Sequence, residues 1–222
     1  MYALVIDGSI SRYFNYPKGF TLGDLQYPAD IFTKWSVEEK TAIGLYEVTF
    51  DNSNKLDEAF YINTNQTFTY DADAGTVTAA YGTATAKALA DTTWSQDDED
   101  DGNLPDDKSV GDVKVAGLKT NYKKHFNVQA AGLLAPTDWY VVKATEVSDY
   151  SVPSAVTTYR AAVRTKVNAM ETAIDNCANV EAFITLLTYV NTATKTVDGV
   201  EVEDTDNSVI QRPLGEFPDK VV

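Results

Sequence analysis

The feature that most constrains this chain is a run of apolar residues at helical spacing: Val156, Tyr159, Val163, Val167, Met170, Ile174 and Cys177. Steps of three and four place them on one face of a helix, and such a face is stable only against a partner. The spacing predicts a long helix from Pro153 to Cys177, with Pro153 in its first turn, where a missing N–H costs nothing. Just upstream, Gly132-Leu133-Leu134-Ala135-Pro136-Thr137-Asp138-Trp139-Tyr140 ends one helix at an apolar pair and turns through Thr-Asp-Trp. Trp139 is the expected anchor of this turn, because its ring brings a large apolar area into a small helical hairpin and its N–H needs a partner. Leu133, Leu134, Asp138 and Pro153 frame it as structural anchors.

Upstream, the pattern is of strands. Tyr2 to Ile6 is followed by Asp7-Gly8 and a second run from Ser9 to Phe14. Asp-Gly between two such runs is a strong hairpin signal, because a type I′ turn needs positive φ at both central positions. Pro17-Lys18-Gly19 and Tyr27-Pro28 interrupt the chain. Ser36-Val37-Glu38-Glu39 has the form of a capping box, and Gly44 ends that short helix as a left-handed residue. Leu45 to Phe50, Ala59 to Asn63, Thr67 to Tyr70 and Thr76 to Tyr81 are further strands. The expected class is α+β. A small, mostly antiparallel β domain spans 1–92, an acidic linker spans 93–111, a helical hairpin or bundle spans 112–192, and an extended tail follows over 193–222. In the helical part, Val115, Leu118, Tyr122, Phe126 and Leu133 have helical period, and Asn179 can cap a last helix with face Val180, Phe183, Ile184 and Leu187. Val197-Asp198-Gly199-Val200 repeats the hairpin signal in the tail. Pro213 and Pro218 suit an extended segment ordered only by a neighbour.

Charge narrows the function classes. The 222 residues hold 33 acidic and 18 basic side chains, a net charge of −15, with no basic patch. That field repels phosphate backbones and anionic membrane surfaces, so neither nucleic acid nor membrane is an expected partner. No apolar run reaches the roughly 20 residues of a membrane span, and Met1-Tyr2-Ala3-Leu4-Val5 lacks the basic start of a secretory signal. A soluble protein made in a cytoplasm is the expectation. With one cysteine, Cys177, and one histidine, His125, multi-cysteine and multi-histidine metal sites are excluded. Cys177 is expected as a small core residue on the helical stripe.

The search for chemistry finds no glycine-rich phosphate loop, no Gly-x-Ser-x-Gly elbow and no triad that one histidine could serve. No catalytic residue, metal ligand or cofactor is expected. Asp97, Glu99, Asp101 and Gly102 echo the first half of a calcium loop, but Lys108 stands where its last glutamate belongs and Pro105 at another ligand position. A solvated, self-repelling linker is the simpler reading. Arg160 and Arg164 lie four apart on one helix face. They can contact a partner, or one of them can tie the long helix back to Asp138 or Glu146 through the planar guanidinium.

Leu133-Leu134, Thr137-Asp138-Trp139, Pro153, Tyr159-Arg160 and Val163-Arg164 together resemble a pattern, LL…(S/T)DW…P…YR…(L/V)R. It belongs to the tail assembly chaperones and tail-fibre assembly proteins of tailed bacteriophages. The resemblance covers roughly Ala131 to Glu171, with the opening Met1 to Gly8 similar to the β-hairpin start of many such proteins. Two departures stand out. Val156-Thr157-Thr158 occupies a place where the family usually has a Trp, and the tail after Thr192 is longer than the pattern accounts for. The resemblance implies a non-enzymatic protein that binds a tail fibre or tail component, in the host cytoplasm during assembly or retained in the virion tail, with self-association into a homo-oligomer a further expectation. Trp139, Tyr140, Tyr159, Arg160 and Arg164 are the expected partner-binding residues. The alternatives are an integral structural component of the virion tail and a glycan-binding module at a fibre tip, using exposed aromatics such as Trp35 or Trp94.

Overall fold

The computed structural model describes residues 1–220, so the last two positions of the expected tail, 221 and 222, lie outside the described residues. The chain is mixed α+β and divides into two compact units, 1–86 and 87–222. Among the described residues, no helix is long and apolar enough to cross a membrane.

The first unit is strand-rich. Its elements are β1 (Tyr2–Ile6), β2 (Ser9–Phe14), β3 (Phe20–Leu22), β4 (Leu25–Tyr27), α1 (Ile31–Lys34), α2 (Val37–Ala42), β5 (Leu45–Asp51), β6 (Tyr61–Ile62), β7 (Thr67–Asp71), β8 (Thr76–Ala80) and β9 (Thr85–Ala86). The main sheet has the order β2-β1-β5-β8-β7. Asp7 (φ 50°) and Gly8 (φ 74°) make the tight turn between β1 and β2 that the sequence predicts. Ser36 and Glu39 form both halves of the capping box at the start of α2. The pairing is mostly antiparallel, as expected, with one exception: β5 and β8 run parallel, Val48 opposite Val77. The β6–β7 excursion between them carries the chain back to the start of the sheet, a crossover that no local turn signal encodes.

The sheet curls until its edge strands β2 and β7 come side by side, with the Tyr13 and Phe68 rings 4.6 Å apart. Its concave face is lined by small buried residues, Ala3, Val5, Val48, Val77 and Ala79, because a tight curl leaves little room inside. The convex face carries Leu4, Phe14 and Leu45. It is covered by Phe20, Ile31 and Phe32 from the β3–β4 hairpin and α1. Trp35 packs edge-on to Tyr27 at the border of that layer.

The second unit holds β10 (Thr92–Thr93), α3 (Gln96–Asp100), β11 (Val113–Val115), α4 (Leu118–Leu134), a 3-10 turn (Ala135–Thr137), α5 (Asp138–Glu146), α6 (Ser154–Asp175), α7 (Val180–Leu187), β12 (Val190–Asn191), β13 (Thr194–Val197), β14 (Val200–Glu203) and β15 (Ile210–Gln211). Val113–Val115, expected as helix, is instead a strand paired with Thr92–Thr93. This pairing pins both ends of the acidic stretch, which carries the short helix α3 and belongs to the second unit. Lys114 ties it down further, its Nζ 2.6 Å from Asp98 Oδ1 and 4.4 Å above the Trp94 ring. Helix α4 starts only at Leu118, where the N–H groups of Gly117, Leu118 and Lys119 are met by Asp91 Oδ1 and the carbonyls of Ala88 and Leu89.

Helices α4 and α6 pack antiparallel, joined at one end by Lys123 to Asp175 (2.8 Å) and along their length by Asn127 to Glu171. Every position of the predicted α6 stripe, Val156 through Cys177, is buried. Phe126 and Ala130 of α4 and Val180 and Phe183 of α7 complete the core, with Asn179 Oδ1 capping α7 as expected. Burial pushes the Cys177 thiol up, as suits a core residue. The segment after Thr192 is not extended as expected. β12 pairs with β15, Asp198 and Gly199 turn a β13–β14 hairpin, and Leu214 is 3% exposed. An apolar side chain beside an open seam of the helices finds its neighbour within its own chain.

Candidate functional site

The residues singled out by the sequence gather where α4 ends and α6 begins. A helix leaves its last carbonyls without intrahelical donors. Here Tyr159 Oη donates to Leu133 O at 3.2 Å, and Arg160 Nη1 donates to Leu134 O at 3.1 Å. Arg160 Nη1 also lies 2.7 Å from both Thr137 Oγ1 and Asp138 Oδ1. The Thr137 hydroxyl in turn donates to Leu134 O at 2.7 Å. A guanidinium at this helix end satisfies orphan carbonyls and lies favourably against the negative end of the α4 dipole. Pro136 lies within the 3-10 turn, Ala135–Thr137, that brings Asp138 to the guanidinium. Arg160 takes the tie to Asp138, and Glu146 has no part in it.

This geometry corrects the expected roles. Tyr159 and Arg160 are buried and serve the joint, so they do not offer a surface to a partner. Arg164, one turn further on, is exposed. Trp139, expected as the buried anchor, is 52% exposed. The reason is that the polar joint of Thr137, Tyr159 and Arg160 fills the space under the turn, and α5 has no buried residue at all. Leu133 and Leu134 are half-buried and contribute their carbonyls more than their side chains; Pro153 is exposed at the cap of α6.

What the turn presents outward is an aromatic cluster. The Trp139 and Tyr140 rings lie 4.2 Å apart, and Tyr150 stacks on Trp139 at 6.5 Å. The Lys143 ammonium sits 4.3 Å from the Tyr150 ring and 5.4 Å from the Trp139 ring. Beside them a hollow of about 260 Å³ opens between Pro136, Trp139, Tyr140, Pro153 and Val156. Val141, Val142 and Val147 extend the exposed apolar surface. Rings with a cation at their edge suit a protein or peptide surface, because they combine apolar area with electrostatic orientation.

Lys143 and Tyr150 were not singled out from the sequence. The Trp139–Lys143 spacing of four on a helix is a signal for the first, whereas the return of Tyr150 after α5 has none. His125 is exposed, 2.9 Å from Gln129, and Trp94 lies under Lys114. Among the described residues, no three His, Cys, Asp or Glu side chains gather as a metal would require. Comparison with protein-family models, with curated proteins and with solved structures finds no match to this chain.

Proposed function

We propose that this chain is a non-enzymatic, tail-fibre-associated assembly protein of a tailed bacteriophage, working by protein–protein contact with a fibre or tail component. One observation carries the reading: the motif residues that resemble that family interlock as a unit. Leu133, Leu134, Thr137, Asp138, Tyr159 and Arg160 form one polar joint, and the joint holds Trp139 outward with Tyr140, Lys143 and Tyr150. A chaperone that engages its client transiently needs such an exposed aromatic patch while free. The helical hairpin of α4 and α6 is the scaffold in this reading, and the host cytoplasm is the place of work.

Two experiments test it. Trp139→Ala is expected to keep the fold, at a cost below about 1 kcal/mol for a half-exposed ring, while co-purification with the co-expressed fibre falls at least ten-fold. Undiminished co-purification would remove the patch from the function. Quantitative mass spectrometry of purified particles then separates the readings. Abundance in infected cells with absence from particles fits the assembly protein, whereas stoichiometric presence makes it an integral tail component. A glycan-binding module would instead show carbohydrate retention that Trp139→Ala abolishes.

A further inference from the structure

The segment after β15 is held in two different ways. From Arg212 to Glu216 it is anchored. The Arg212 guanidinium lies between the Phe126 and Tyr189 rings, 5.4 and 5.2 Å from their centres, and pairs with Glu216. The Tyr189 hydroxyl donates to Glu216 Oε1 at 2.6 Å, Leu214 is buried, its N–H reaches Leu186 O, and its carbonyl accepts from Lys166 Nζ at 2.7 Å. From Phe217 to Lys220 the hold changes: these residues make no hydrogen bond or ion pair with the described residues. They lie over the seam of α4 and α6, against Gln129, Gly132 and Leu133 on one side and Thr158, Tyr159 and Ala162 on the other.

They also fail to fill that seam. Pro218 and Asp219 border two shallow, solvent-open hollows, one on the α4 side and one on the α6 side. An occupant that is half-buried at Phe217 and Pro218, exposed at Asp219 and Lys220, and without a hydrogen bond to the described residues is loosely held, as is typical of the low-stability parts of a unit. Its walls combine Leu133, Tyr159 and the small Gly132 and Ala162 with the polar Gln129 and Thr158, and the occupant they accept is an extended aromatic–proline pair, Phe217-Pro218, flanked by acidic Glu216 and Asp219. Proline pre-orders such a segment, which lowers the entropy cost of docking.

We infer that the α4–α6 groove is a peptide-binding site for an extended aromatic–proline segment of the partner, and that Phe217–Lys220 occupies it as an exchangeable placeholder. Arg212 to Glu216 is the tether that keeps the placeholder at high local concentration, so only a tighter-binding segment displaces it. That the displacing segment belongs to a fibre rests on the proposed function; that the groove binds peptide does not.

The test uses a labelled synthetic peptide spanning 214–220 and the full chain. A Phe217→Ser, Pro218→Ser double variant vacates the groove, and it is expected to bind the peptide at least ten-fold more tightly than the unchanged chain. Adding Ala162→Glu, at an exposed position on the α6 wall, is expected to abolish that gain by repelling the acidic peptide. Equal binding to the unchanged and vacated chains, or none to a vacated chain of unaltered circular dichroism, would overturn the inference. A concentration-dependent dimer of the unchanged chain that the double variant loses would also overturn it, by making the occupant a second copy's tail. No fibre enters the experiment, so its failure leaves the tail-fibre reading standing, and loss of fibre binding elsewhere leaves the groove.

Discussion

At the scale of the residue, Arg160 shows how position along one helix separates two chemically identical side chains. Its guanidinium is buried and shared among Leu134 O, Thr137 and Asp138, while Arg164 is exposed. Arg160→Ala removes the charged donor shared by Leu134 O, Thr137 and Asp138, and it is expected to cost about 2 kcal/mol, the range for hydrogen bonds to a charged group. Arg164→Ala is expected to stay within about 0.5 kcal/mol; urea unfolding of both variants measures the difference. Asp98 is the second residue with a sharp expectation. The Lys114 ammonium, then the Ser95 N–H and hydroxyl, hold its carboxyl down from 3.8 to about 2. A depressed folded value means the contribution is present above the unfolded pKa and is lost as pH falls from about 3.8 through about 2. NMR titration of the Asp98 carboxyl is expected to find its midpoint near 2, and Lys114→Met to return it toward 3.8.

Elements in this protein depend on a few junctions. The β1–β5 pairing follows directly on Gly44, whose φ is 77° and whose position admits no side chain, because a Cβ there would overlap the Val5 carbonyl oxygen. Val5 N–H also donates to Gly44 O at 2.8 Å. Gly44→Ala is therefore expected to destabilise the first unit by about 1–3 kcal/mol through backbone strain and displacement of β1. Thermal unfolding checks this, and an unchanged midpoint would show that the β1–β5 junction yields more easily than its geometry implies. Helix α6 depends on its face in the same way. Met170 and Ile174 are wholly buried, so Met170→Ala is expected to cost about 2–5 kcal/mol in urea unfolding.

For the whole molecule, net charge is the dominant property. A surplus of 15 negative charges works against a compact state, and the ion pairs are largely solvent-exposed and individually worth little. Added salt screens the repulsion more than it weakens such pairs. Raising sodium chloride from about 10 to 150 mM is expected to stabilise the protein by roughly 1 kcal/mol, or roughly 2–4 °C in midpoint. A falling midpoint in scanning calorimetry would mean that the pairs at Asp98, Asp175 and Asp206 outweigh the general repulsion.

Much of the fold was legible because its signals are local. Period along α6 named every buried residue of its stripe, Asp7-Gly8 and Asp198-Gly199 named their turns, and Ser36 and Asn179 named their caps. Each depends on residues within one or two turns, whose geometry the backbone fixes without help. The rest depended on which distant segments meet. The parallel β5–β8 pair, the curl that joins β2 to β7, and the Val113–Val115 strand depend on partners far along the chain. So do the outward Trp139 and the buried Leu214. Trp139 is the instructive case. Its residue type argues for burial, but burial is a competition for limited space, and a guanidinium with three oxygen acceptors holds that space. The sequence by itself determined the helical stripe, the caps and the turns; tertiary packing alone decided which ring faces the core and which faces solvent.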